Sequence, residues 1–107
     1  MQFTQEQKNE YLDKLAQRTQ EGMWLTEMSL LKSDKDLGRK RTLLIQIEDK
    51  LEKKEYKSAR DGKEEKRQVE ADIRKLEADI QESHLLLETG RQDLELIEEY
   101  REKPFEK

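Results

Sequence analysis

The sequence predicts an all-α protein: a long antiparallel helical hairpin of coiled-coil type, with a short third N-terminal helix as an option, assembling into a helical bundle. Three observations carry that expectation. Met23, Leu30, Leu37, Leu44 and Leu51 recur every seven residues. Val69, Ile73, Leu76, Ile80, Ser83, Leu87, Gly90, Leu94 and Ile97 follow alternating steps of four and three. Both spacings keep one stripe of a helix turned toward a partner helix. Third, opposite charges separate along the chain. Residues 32–75 hold fifteen basic and eleven acidic groups, and residues 76–107 hold four basic and ten acidic. Folding the chain back once brings the basic stretch beside the acidic one.

The first arm is expected over about 4–58. Thr4-Gln5-Glu6-Gln7 reads as a capping box, with Thr4 as the N-cap and Gln7 reaching back to it. Positions three residues beyond the heptad leucines are mostly polar: Thr26, Ser33 and Lys40 precede Ile47. This arm therefore has the weaker seam. Gly22 could close a separate N-terminal helix, and Ser33 with Asp36 could open a fresh segment. The turn is expected at about 59–63, because Asp61-Gly62 is the best turn dipeptide in the chain. Asp61 is also placed to cap the second helix. The second arm is expected over about 64–103 and stops before Pro104. Its two small seam residues, Ser83 and Gly90, suit close approach of a facing side chain. The alternative for Gly90 is a local kink. Folding back at Asp61 sets Trp24, Met28 and Leu31 against Leu94, Ile97 and Tyr100. Residues before about 18 then have no partner on the second arm, and they overhang, fold back as a short third helix through Gly22, or pack on another copy. The whole chain, 1–107, is expected to be one helical domain.

Composition bounds the function. Of 107 residues, 45% are charged and 32% hydrophobic, against about 25% and 45–50% in ordinary globular chains. Such a chain cannot fill a thick core, but a thin helical seam needs far less. Without cysteine there is neither a disulfide nor a thiolate metal site. No apolar run is long enough to span a membrane. The opening residues lack the apolar stretch of a signal peptide, so a cytoplasmic location is expected. His84 is the only histidine and has no partner pattern around it. No phosphate loop or calcium loop is present. We expect no enzyme activity, no cofactor and no metal.

The densest apolar segment runs from Met23 to Leu31. The seam uses Met23 and Leu30 only, so Trp24, Met28 and Leu31 are surplus. Leu85-Leu86-Leu87 makes a similar surplus on the second arm, and Tyr100 lies near its end. Tryptophan and methionine are enriched where proteins meet. Trp24, Met28, Leu31, Leu85, Leu86 and Tyr100 are therefore the candidate interface, for a protein partner or a second copy in a homodimer. A third helix carrying Tyr11, Leu12 and Leu15 would cover the same surplus within one chain. Arg39, Lys40, Arg41, Lys53 and Lys54 form the candidate basic patch. Acids interrupt every basic stretch, so nucleic acid is not the expected partner. Pairing with the acidic arm is the expected fate of these cations.

The stretch from Asp49 to Arg60, with Asp49, Glu52, Glu55-Tyr56 and Ala59-Arg60, resembles the tip of the Gre-type transcript cleavage factors. That likeness covers about a dozen residues and implies polymerase binding through the hairpin tip. It departs from the family in placing Asp49 and Glu52 within the helix rather than in the turn. The function expected from the residues themselves is a non-enzymatic interaction module: an adaptor, assembly factor, chaperone or inhibitor. A binder of nucleic acid or of the transcription machinery, and a structural coiled-coil spacer, are the alternatives.

Overall fold

The computed structural model describes residues 4–103, and within them the chain forms two helices and no strand. Helix α1 spans Gln5–Glu52 and helix α2 spans Ala59–Glu102, and the two form a helical hairpin. Among the described residues no helix is long and apolar enough to cross a membrane. Packing divides the chain into two compact units. Unit 1 joins Met1–Met28 to Ser83–Lys107, and unit 2 is Ser29–Glu82.

The start of α1 follows from its sequence. The Thr4 hydroxyl accepts from the Gln7 amide at 3.1 Å, and the Gln7 side-chain carbonyl accepts from the Thr4 amide at 2.9 Å. Two amides with no partner in the helix ladder are satisfied reciprocally. The expected breaks inside α1 are absent. Gly22 and Ser33 both lie within the continuous helix, so no separate third helix forms.

Unit 2 holds the connection, and it sits earlier than the sequence suggests. α1 ends at Glu52, not near 58, and α2 begins at Ala59, so residues 53–58 make the turn. Lys54 adopts φ 57°, the left-handed conformation. Its amide donates to the Leu51 carbonyl at 3.2 Å, and the Glu55 amide donates to the Lys50 carbonyl at 2.9 Å. This bonding is the Schellman ending, which glycine usually occupies. Ser58 immediately precedes α2, and Asp61 is the acidic residue of its first turn rather than its cap. An anion there suits the positive end of the helix dipole.

Gly62 consequently has another task. A Cβ on Gly62 would lie 2.5 Å from Leu51 Cδ2 and 2.7 Å from Tyr56 Cδ2. The glycine lets α2 pass close against the end of α1 and the turn tyrosine. Beyond it, Leu37, Ile47, Val69 and Ile73 form the buried core of unit 2. Leu44, Leu51, Tyr56, Leu76 and Ile80 pack against that core. Ile47 is the most enclosed of all, at 2% exposure.

Unit 1 buries Leu12, Leu87 and Ile97. Met23 lies directly over Gly90: a Cβ there would meet the methionine Cγ at 2.6 Å and Sδ at 2.7 Å. The helix continues through Gly90, and the methionine over it makes this glycine a packing site. This pairing corrects the fold-back about Asp61, which set the Trp24 region against Leu94 to Tyr100. The earlier turn gives residues before 18 a partner. Asp13 pairs with Arg101, and the Lys8 ammonium donates to the Lys103 carbonyl at 2.6 Å.

Candidate interaction surface

Heptad geometry gives each unit two flanks beside its seam. In unit 1 the first flank carries Leu15 and Gly22 on α1, seven residues apart. On α2 it carries Leu86, Asp93 and Tyr100, also at intervals of seven. Each of these residues sits one step before a seam position. Leu12, Leu15, Thr19, Asp93, Leu96, Ile97 and Tyr100 line an open groove of about 350 Å³ on this side. Its walls are apolar except for Asp93, the Tyr100 phenol and the Thr19 hydroxyl, which donates to the Leu15 carbonyl at 2.9 Å. Tyr11, Leu86, Leu96 and Tyr100 are all exposed. Tyr11, Arg18 and Leu25 continue the flank on α1, again seven apart.

The second flank of unit 1 is chemically different. Trp24 follows the seam residue Met23, whereas Gly22 precedes it. At 100° per residue the two are about 200° apart around the helix. Trp24 therefore lies away from the groove and is 59% exposed. Glu10, Asp13 and Glu27 share its side of α1, and Glu88, Glu95 and Glu102 share that side of α2 by the same spacing. The cation Arg91 is held by Glu88 at 3.5 Å.

The six interface candidates are all exposed, but they do not form one patch. Tyr100 lines the groove, and Leu86 lies on its flank. Trp24 sits on the acidic flank. Met28 and Leu85 point outward from their own helices, each two residues from the nearest seam position. Leu31 belongs to unit 2, where Ile45 is equally bare at 68% exposure. Sequence reasoning missed Leu96 and Ile45. The signal was present: each lies one or two residues from a seam position already identified, and a heptad seam cannot turn such neighbours inward as well.

The basic candidates gather in unit 2 but not as a free patch. Lys40 pairs with Asp72 at 3.0 Å, Arg41 with Glu77 at 3.6 Å, and Lys53 with Asp49 at 3.0 Å. Arg39 lines a shallow depression of about 500 Å³ with Lys40 and Lys75, but Asp36, Asp72 and Asp79 line it too. The role the structure shows for Lys54 is the left-handed turn position. Of the acids that suggested a Gre-type tip, Asp49 and Glu52 lie in the last turn of α1, with Asp49 held by Lys53, and Glu55 lies in the connection itself.

Tyr56 and Glu64 titrate away from their ordinary values. The Tyr56 hydroxyl donates to Glu65 at 3.0 Å. Loss of water around the phenol, together with the bond to and the charge of Glu65, raises its pKa above the ordinary 10.0. The Arg67 guanidinium makes a two-bond contact with Glu64 at 2.7 and 3.1 Å. That contact holds the Glu64 carboxyl below its usual range. Among the described residues no three histidine or acid side chains converge as metal ligands.

No known protein family, curated protein or solved structure matches the chain.

Proposed function

We propose that this chain is a non-enzymatic protein-interaction module that works as a homodimer and docks on a larger protein through helix faces. The exposure of Trp24 is the observation that carries this reading. A tryptophan left 59% bare on a helix, with seam positions filled around it, brings no benefit to the monomer. In an interface it becomes the type of side chain that dominates binding energy. The flank around it also favours one kind of partner. Carboxylates outnumber cations on that side of unit 1 even with Glu10 paired to Lys14, Asp13 to Arg101 and Glu88 to Arg91, so the partner presents lysine or arginine around an apolar recess. Charge of that arrangement mainly speeds and orients docking, while the tryptophan supplies affinity.

The test compares proteins captured from the native source by the chain and by Trp24→Ala. Trp24 is exposed, so helicity and melting temperature are expected to hold. A basic protein retained by the unaltered chain in low salt, released by high salt and lost with Trp24→Ala supports the proposal. Equal capture by both chains removes the anchor on which the reading rests.

A further inference from the structure

The two flanks of unit 1 differ in a way that assigns them different partners. The acidic flank is a poor surface for its own copy, because Glu27, Glu95 and Glu102 make no ion pair among the described residues and an excess of like charge would meet across the contact. The groove flank has the opposite property. Between Tyr11 and Leu25 on α1, and between Leu86 and Tyr100 on α2, its apolar residues are interrupted by one cation, Arg18, and one anion, Asp93. Neither makes an ion pair among the described residues. We propose that this flank is the surface on which a second copy of the chain docks, with Arg18 of each copy paired to Asp93 of the other. This proposal deepens the homodimer reading given above and rests on it.

The geometry is self-complementary. A two-fold axis parallel to the helices lays α1 of one copy over α2 of the other at the same level. Met23 opposite Gly90 fixes that level. Arg18 then stands opposite Glu95, two residues and about 3 Å of rise from Asp93. An arginine side chain spans that offset. Leu15 and Tyr11 of one copy meet Leu96 and Tyr100 of the other, and the groove is filled from outside. The result is a four-helix layer at unit 1, with the Trp24 flank left free for the larger partner. The two contacts occur once per copy, as isologous symmetry demands.

Sedimentation equilibrium at tens of micromolar tests this with four chains: the unaltered protein, Arg18→Asp, Asp93→Arg, and the double substitution. Both positions are exposed, so circular dichroism is expected to show full helicity in every chain. The unaltered chain is expected to be a dimer. Each single substitution sets like charges together twice and weakens the dimer by about tenfold or more. The double substitution re-forms both pairs with reversed sign and restores affinity to within a few-fold. Leu96→Glu, which introduces a charge into the groove wall, is expected to give a helical monomer. A monomeric unaltered chain overturns the homodimer reading itself. A dimer indifferent to both single substitutions, or a double substitution no better than either single one, overturns only the choice of this flank.

Discussion

Lys54 holds a backbone conformation that costs an ordinary side chain about 1 kcal/mol or more, and that glycine adopts freely. It does so because Leu51 and Lys50 carbonyls need the amides of residues 54 and 55. Lys54→Gly is therefore expected to raise stability by about 1 kcal/mol in thermal or urea unfolding, and Lys54→Val to lower it. The glycines sort in the same way. Gly22 and Gly38 have open space where a Cβ would go, whereas Gly62 does not. Gly22→Ala should gain roughly the 1 kcal/mol that separates the two residues in a helix. Gly62→Ala should destabilise, since Leu51 and Tyr56 must move. Equal effects at the two glycines would contradict the packing around Gly62. Tyr56 gives a pH dependence. The fold favours its neutral form, so its contribution is complete below the ordinary phenol pKa and is lost as pH rises past about 10. In a spectrophotometric titration Tyr56 should ionise above the ordinary phenol value, and Tyr56→Phe should leave stability flatter at high pH.

At the scale of the helix, the seam decides what each substitution does. Ile47 and Ile45 are neighbours of the same type, yet one is 2% exposed and the other 68%. Ile47→Ala is expected to cost about 2–5 kcal/mol, and Ile45→Ala about 0.5 kcal/mol or less. Chemical unfolding of the two variants checks this; similar losses would mean that the seam is misplaced. The α2 seam was readable in the sequence because the four-three step never fails and only Ser83 and Gly90 are not large and apolar. The α1 seam was half hidden by Thr19, Thr26, Ser33 and Lys40, which occupy inward positions without being apolar. Thr26 bonds its own backbone, donating to the Gly22 carbonyl at 2.9 Å, and Lys40 leans out to Asp72. The capping box at Thr4 was readable in full. The turn was not. A lysine in the left-handed position carries no sequence signal, while Asp61-Gly62 carries a strong one for a different reason. Gly62 is small because α2 passes close to Leu51, and Asp61 faces the helix dipole.

For the molecule as a whole, that displaced turn matters more than any one side chain. It shifts every pairing between the helices and gives Leu12 and Asp13 partners on α2. The basic stretch does meet acids of α2, as Arg41 with Glu77 shows, so unit 2 is nearly balanced, while unit 1 holds twelve acids against seven bases. The site was less legible than the fold. Surplus apolar residues could be picked out by elimination, but their division between two flanks depends on the pairing register. Trp24 and Leu86 looked like parts of one surface and lie on opposite sides of unit 1. The absence of cysteine allows that register to be tested directly. Met23 over Gly90 places Thr19 beside Leu94, each four residues further from the turn. The double substitution Thr19→Cys with Leu94→Cys is expected to close an intramolecular disulfide in mild oxidant, with peptide mapping showing the joined fragments. A chain that cross-links instead through Thr19→Cys with Lys103→Cys, as a fold-back at Asp61 requires, would contradict the register and with it both flanks.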